Sequence, residues 1–344
     1  MKKLLTAVVF LLISTALFAQ TNTSTVAQAG NDNNADVGQT GELNVSAVTQ
    51  NNHNQVPHDA TVMQDGKRND SKVDQYSYGV GLKNITTVDQ VVGDDNVADA
   101  RQGGSNDMID IDQVGSLNYS LTHQYGKDHQ ATILQDGNDN WSWTKANTGN
   151  FDVQKVTQDG DGNIGSIDTK LGSDNTATLL QFGNNNVVGS KPPYSGPEGI
   201  LQIGSDNTGY IRQSGDFNDG LIEQLGDNNG AHLYIHGDEN ITVSSQDGFR
   251  NGQKLRLTGS VNTIDIIQKQ DRNRTDLNMR DAVGLITSSN HTDVDILQDG
   301  NNNKVSGHIM GDYNNVDITQ MGDGNNSQNS AAGNNNTIFV NQSN

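Results

Sequence analysis

The chain contains no cysteine. Disulfides, thiolate nucleophiles and cysteine-ligated metals are therefore excluded at the outset. Proline occurs only 4 times, aromatic residues make up 5% of the 344 positions, and hydrophobic residues of all kinds reach 32%. So little apolar material excludes the broad oily core of an ordinary two-domain globular protein of this length. Cations are scarce as well: 21 Lys and Arg stand against 41 Asp and Glu, a net charge of −20. That balance argues against nucleic acid, whose phosphates need clustered Lys and Arg, and against anionic lipid. It favours solubility and mutual repulsion. Low hydrophobicity with high net charge is ordinarily a mark of disorder. The scarcity of proline and a regular placement of the apolar residues point the other way.

The first residues differ from the rest. Lys2 and Lys3 precede an apolar run from Leu4 to Phe18, and small residues at Ala16 to Ala19 offer a cleavage point after Ala19. Residues 1–19 read as a secretory signal peptide, because the run is shorter than the ~20 apolar residues that a membrane span needs. No later segment is apolar enough to cross a bilayer.

What fills the remainder is an internal repeat. Glutamines recur about every 11 residues: Gln28, Gln39 and Gln50, then Gln102, Gln113, Gln124 and Gln135, then Gln202, Gln213 and Gln224. Gln246 and Gln268 lie two beats apart around Leu257, and Gln298 and Gln320 do so around Ile309. Each Gln opens the pattern Gln-x-Gly-x-x-Asn, as in QTGELN at 39–44, QDGKRN at 64–69, QVGSLN at 113–118 and QFGNNN at 181–186. Gly and Asn are expected to supply the positive φ of a tight bend, angles that a residue such as Val takes only with strain. The five residues between Asn and the next Gln alternate. In Asn262 to Gln268, Asn262, Ile264, Ile266 and Gln268 share one face and Thr263, Asp265 and Ile267 the other, the signature of a half-buried strand. Gly and Asn on every beat would break a helix.

One strand and one turn take about 11 residues, so a two-sided coil takes about 22. The expected fold is all-β: a β-solenoid of strand-turn-strand-turn rungs with two facing parallel sheets ~4.8 Å between rungs. Counting beats from Gln28 gives about 27 strands and a length on the order of 65 Å. Residues 20–344 form one repeat domain, with loop insertions near 56–60, 190–199 and 279–289. The inward amides should stack as ladders along the axis. The ladder and turn residues in this register are Gln28, Gly30, Asn33, Gln39, Gly41, Asn44, Gln50, Gln113, Gly115, Asn118, Gln124, Gln135, Gly137 and Asn140. They continue as Gln181, Gly183, Asn186, Gln202, Gly204, Asn207, Gln213, Gly215, Asn218, Gln224, Gln246, Gln268, Gln298, Gly300, Asn303, Gln320, Gly322 and Asn325. Lys170, Ile235, Leu257 and Ile309 stand where Gln is expected and should interrupt the ladders.

The run Asn-x5-Gln-x4-Asn-x5-Gln, with Gly two after each Gln, resembles the curlin repeat of curli amyloid subunits. Asn33, Gln39, Asn44 and Gln50 match it, as do Asn207, Gln213, Asn218 and Gln224, and the resemblance covers residues 26 to 342. It implies an exported subunit that polymerises outside the cell into adhesive, biofilm-matrix fibres, with a nucleator subunit and an outer-membrane secretion pore as partners. The chain departs from the short family members in having many more rungs. It also has only Gln20 to Thr25 ahead of the repeats, where they carry a longer pore-targeting segment. Separately, the repeat starts near Val26 and finishes on a strand with Ile338, Val340 and Gln342 inward. Two uncapped, like-patterned edges predict head-to-tail addition.

Other chemistry is weakly represented. Asp159-Gly160-Asp161-Gly162-Asn163 is a fragment of a calcium loop without its Glu or flanking helices, and reads better as a repeat turn. His53, His58, His123, His129, His232, His236, His291 and His308 form no zinc motif. No nucleophile elbow or phosphate loop is present, so neither an enzyme nor a cofactor is expected. Trp141 and Trp143 share a strand face, expected outward with Ser142 inward, and could contact sugar. The alternative to self-assembly is a monomeric surface-binding solenoid for carbohydrate or ice. The mixed outward residues disfavour ice.

Overall fold

A computed structural model describes residues 21–52, 57–77, 83–190, 199–279, 292–309, 313–331 and 335–343. The signal-peptide segment, His53 and His291 lie outside them. So do 53–56, 191–198 and 280–291, which hold most of the three insertions read from sequence.

The described chain is all strand and turn, without a helix. In order come β1 (Thr23–Ala29), β2 (Asn34–Glu42), β3 (Val45–Asn52), β4 (Asp59–Lys67), β5 (Asp70–Ser77), β6 (Ile85–Val91), β7 (Val97–Gln102), β8 (Met108–Val114) and β9 (Tyr119–Lys127). Then follow β10 (Gln130–Asp136), β11 (Trp141–Asn150), β12 (Val153–Asp159), β13 (Ile164–Ser173), β14 (Thr176–Phe182), β15 (Val187–Val188), β16 (Ile200–Ile203), β17 (Thr208–Ser214), β18 (Asp219–Leu225) and β19 (Gly230–His236). The last are β20 (Ile241–Asp247), β21 (Gly252–Thr258), β22 (Thr263–Lys269), β23 (Arg274–Met279), β24 (Asp293–Asp299), β25 (Lys304–Ile309), β26 (Asn315–Met321), β27 (Asn326–Ala331) and β28 (Thr337–Ser343).

Successive strands alternate between two parallel sheets, which makes the protein a β-solenoid. The first sheet runs from β1 through β3 and β5 to β28, with β15 and β16 sharing one tier; the second runs from β2 through β4 to β27 in 13 tiers. Most tiers repeat after 22 or 23 residues, as in Thr23↔Val45 and Gln130↔Val153. The offset widens to 25 at Asn34↔Asp59, 32 at Thr176↔Thr208 and 30 at Thr263↔Asp293. It also widens to 27 at Asp70↔Val97, a fourth slip beyond the three insertions, visible in the 15-residue step from Gln75 to Gln90.

The alternation decides the core. Ile264 and Ile266 are buried while Thr263 is exposed, and the same pattern holds from β3 to β26. The continuous cluster is built of Val, Ile, Leu and Ala without an aromatic ring. Two sheets this close leave no room for one.

The bends differ from expectation in one respect. Glycine does take positive φ, for example Gly115 at 95°, but the motif's Asn does not. The second left-handed residue is the one before it: Leu117 (φ 62°), Asp139 (φ 55°), Phe217 (φ 57°) and even Val261 (φ 60°). The Asn turns its side chain inward instead. A β-branched residue held at that angle is strained by roughly 1–2 kcal/mol. Val261→Asn, which copies Asn185 and Asn228 at the equivalent place, is therefore expected to raise stability by about 1 kcal/mol in urea denaturation. A loss of stability would contradict the strain.

Stacked amide columns and open edge strands

Each half-rung brings four inward positions to the core: the Asn ahead of the strand, two mid-strand residues and the closing Gln. In the first sheet Gln28, Gln50, Gln75, Gln102 and Gln124 form one column. Each Nε2 donates to the next Oε1, at 2.7 Å (Gln28 to Gln50) and 2.9 Å (Gln50 to Gln75) at the start. A second column, Gln202, Gln224, Gln246, Gln268, Gln298, Gln320 and Gln342, runs in the same direction. In the second sheet Gln39, Gln64, Gln90, Gln113, Gln135, Gln158, Gln181 and Gln213 are joined likewise. The second Nε2 hydrogen reaches a backbone carbonyl of the facing sheet, as Gln224 does at Thr208 O, 3.1 Å. Both amide hydrogens are thus satisfied in the dry interior.

The Asn residues form columns of another kind. Asn118 N donates to Asn96 Oδ1 (3.0 Å) and Asn140 N to Asn118 Oδ1 (3.1 Å), while Asn118 Nδ2 donates to Gly137 O, 2.8 Å. Asn44, Asn186, Asn207, Asn218, Asn303 and Asn325 repeat this arrangement in their tiers, and Asn33 Oδ1 accepts from His58 N. The turn glycines stack above one another, carbonyl over glycine, which gives the Asn amides an acceptor in most tiers; Gln270 O serves Asn251 instead.

The interruptions are not all where the beat places them. Ile235 and Leu257 do replace Gln, in register above Gln213. Met279 and Ile309 continue that column by backbone register. Lys170 does not: Thr169 is the buried residue in register with Gln202, and Lys170 points outward to Asp168 at 3.1 Å. The turn after Thr169 is one residue longer than the standard one, which displaces a count made back from Gln181. Ala146 is a further interruption, between Gln124 and Thr169. Gln154 fills this break from the facing sheet, donating to Lys145 O (2.6 Å) and Thr169 Oγ1 (3.1 Å). Gln253 lies instead on the same strand as Leu257 and bonds across to the first sheet, with its amide hydrogens on Ser245 O and Ile266 O and its oxygen accepting from Ser244. Nothing in the glutamine spacing marks these two.

Titratable groups occupy part of one Asn column. His58, Asp107, His129 and Asp152 all stand at Asn positions in the second sheet and are buried. Asp107 N donates to Asn84 Oδ1, and Asp107 Oδ1 accepts from His129 N at 3.0 Å. Asp152 N donates to His129 Nδ1 at 3.3 Å. Burial pushes Asp107 up to about 7 and lowers His58 and His129, and it raises Asp152 against the pull of His129 and the Asn175 hydrogen bonds.

Of the other His residues, His232 and His236 lie on the outer face of β19 and His123 beside Tyr125. No cluster able to hold a metal ion occurs among the described residues. Asp161 of the calcium-like string accepts from Asn138 N at 2.7 Å, the role that Asn184 and Asp216 take in other turns. Trp141 faces outward but is only 7% exposed, stacked on Tyr119 with ring centroids 6.0 Å apart. It is therefore part of a stack and not an open sugar platform.

The described part of the solenoid ends on strands with no outer neighbour. Among the described residues β1 pairs only with β3, and β28 only with β26. All seven residues of β1 are exposed, including Val26 and Gln28. In β28, Ile338, Val340 and Gln342 hold the inward positions, and the two aliphatics pack half-buried on the core.

The profile of one sequence family, described as the curlin associated repeat, matches residues 104–137, 155–183, 172–215 and 204–234. The chain carries curlin repeats. The matched segments sit in the middle of the solenoid, and the outer tiers continue the same register in both directions. A search of curated proteins found no match. Curlin repeats on a β-solenoid fit a curli-like structural subunit, not an enzyme.

A single ladder residue tests the energetics. Gln224→Ala removes the acceptor of Gln202 and the donor of Gln246 together. Unsatisfied buried amides cost about 1–3 kcal/mol, so the midpoint of urea denaturation should fall accordingly. Gln342→Ala, which loses one ladder partner, should cost less. Equal effects would argue against the column as a unit.

Proposed function

We propose that the chain is an extracellular structural protein that adds to copies of itself end to end, forming a curli-like functional amyloid for biofilm matrix and adhesion. The observation that carries this reading is the pair of end strands with no outer neighbour among the described residues. Each presents unpaired backbone groups, and each carries the inward aliphatic-then-Gln pattern that every internal tier uses to bind its neighbour. The ladder polarity supports it too. Gln342 Nε2 already donates to Asn326 O and keeps a hydrogen for a following tier, while Gln28 Oε1 faces the opposite end with its acceptor unused by the tier above. Such head-to-tail contact is heterologous and does not close. Export by a signal peptide over residues 1–19, a nucleator subunit and an outer-membrane pore belong to the same reading. No helix among the described residues is long and apolar enough to cross a membrane.

The test is to dilute residues 20–344 from denaturant and follow thioflavin fluorescence with electron microscopy. Unbranched fibres after a lag, shortened by preformed seeds, are expected. A β-rich monomer stable for days at tens of micromolar would overturn the reading and favour a monomeric surface-binding solenoid.

A further inference from the structure

The outer face of the second sheet is divided by charge along the solenoid axis. Its lower tiers present acids: Asp59 and Asp65 on β4, Asp89 on β6, Asp110 and Asp112 on β8, Asp136 on β10. Its upper tiers present Arg212 on β17, Lys254 and Arg256 on β21, Arg274 on β23 and Lys304 on β25, with Asp276 on β23 as the one acid among them. Apart from Lys155 on β12, the cations of the lower half are largely used within the chain, as in the Lys67–Glu42 and Arg68–Asp95 pairs and, on the other sheet, Arg101–Asp99. None of the five upper cations makes an ion pair among the described residues; Arg212 and Arg256 lie over Phe182 and Tyr234 instead. In a chain with net charge −20, unpaired cations gathered on one half of one face are a feature to be explained.

The register says what fits them. β14 is the middle of the 13 tiers, with β8 three tiers below and β21 three above. Following the pairings through β10, β12, β14, β17 and β19, Asp110 shares a column with Lys254 and Asp112 with Arg256. Asp136 of β10 and His236 of β19, two tiers to either side, share another, and Asp59 of β4 and Lys304 of β25, five tiers out, each open their strand. A two-fold axis along β14 exchanges each of these pairs. We propose that two copies of this chain pair laterally through this face, antiparallel about β14, with Asp110 and Asp112 of each copy on Lys254 and Arg256 of the other.

In this arrangement Leu180 and Phe182, outward and half-buried on β14, meet their own counterparts on the axis. No described strand residue is set opposite one of like charge. Parallel pairing of the same faces would instead put Asp59 on Asp65 at β4 and Asp110 on Asp112 at β8. Burial and the neighbouring Asp110 and Asp89 already raise Asp112, so this acidic stretch gains from cations brought to it. The face measures about 13 tiers of ~4.8 Å by seven residues of ~3.3 Å, on the order of 1,300 Å² per copy, enough for a specific interface. Both surfaces share the tier spacing, so the charges stay in step along the whole contact. The pairing is lateral and applies to a single solenoid as to a fibre, so it does not depend on end-to-end growth.

The absence of cysteine makes the test direct. Asp112→Cys and Arg256→Cys are made in separate full-length chains, mixed and mildly oxidised, and the interchain disulfides are counted by mass spectrometry. The mixed disulfide should exceed either homodisulfide at least tenfold, and should disappear in 1 M salt, where the Debye length is about 3 Å. A second reporter, Asp136→Cys with His236→Cys, leaves the central charges free to be reversed. Lys254→Asp with Arg256→Asp should then cut cross-linking at least fivefold, and adding Asp110→Lys with Asp112→Lys should restore it. Homodisulfides as the main products, no interchain disulfide, or capture of a polyuronate without any cross-link would each overturn the pairing. Thioflavin growth followed in parallel keeps a failure of pairing distinct from a failure of end-to-end assembly.

Discussion

Asp107→Asn is expected to stabilise the protein by about 4 kcal/mol at pH 8 and by little at pH 4. Asp107 is 1% exposed, and its Oδ2 has no hydrogen-bond partner. In the tier before it the same position carries Asn84, whose Nδ2 donates to the turn carbonyl Gly104 O at 3.1 Å, as Asn96 and Asn118 of the other column do to Gly115 O at 2.7 Å and Gly137 O at 2.8 Å. A carboxylate has nothing to donate there, and burial makes its charge expensive, which is why its pKa is pushed up from 3.8 to about 7. The folded state therefore holds a proton that the unfolded state has released between about pH 4 and 7. Stability contributed by the protonated acid is complete below 3.8 and is lost as pH rises to about 7. Asn does not titrate, so the advantage of the variant grows through that window and levels above it. His129 is lowered by burial and works in the opposite sense, losing stability as pH falls below 6.5, but it is present in both proteins. Urea midpoints at pH 4, 6 and 8 measure the difference. A gap that does not change with pH would refute the account.

The strands themselves were legible because two periods coincide in the sequence. Alternation within Asn262 to Gln268 fixes which side of a strand is inward, and the beat of about 11 fixes where each strand ends. Parallel stacking then follows from identity of the tiers. The turns were harder. Gln-x-Gly-x-x-Asn offers two residues that tolerate positive φ, yet only Gly uses it. The other left-handed residue precedes Asn and is as varied as Leu117, Phe217 and Val261, so composition could not locate it.

Counting on Gln alone hid several inward residues. The turns after Ala146 and Thr169 are one residue longer than the standard one, which moves a count onto Lys170. Counting on Asn would have met His58, Asp107, His129 and Asp152 on the beat and marked the titratable column. Gln154 and Gln253 remain invisible to either count, because each stands mid-strand, off the Asn and Gln positions of the beat. The division of charge on the outer face was masked for a related reason. Net charge of −20 is a sum, and only the tier order separates Asp110 and Asp112 from Lys254 and Arg256.

Gly183→Ala should be among the most damaging single substitutions, costing on the order of 3–5 kcal/mol. Gly183 has φ 109°, and a Cβ there would lie 2.3 Å from Gly215 O in the next tier. That oxygen cannot retreat freely, because it accepts from Asn186 Nδ2 at 2.7 Å. Gly183 is held as well, donating to Asp159 O at 2.9 Å and accepting from Asn163 Nδ2 at 2.8 Å. The methyl group must therefore push two tiers apart or break an Asn column, in addition to the strain of the angle. Gly252→Ala is the control: its Cβ would meet nothing within 4 Å, so its effect should stay below about 1 kcal/mol. Because each tier touches only its neighbours, damage at one junction also uncouples the segments on either side. The variant's urea transition should accordingly broaden as well as shift. A sharp transition within 1 kcal/mol of the parent would mean that the glycine stack is not what holds the tiers together.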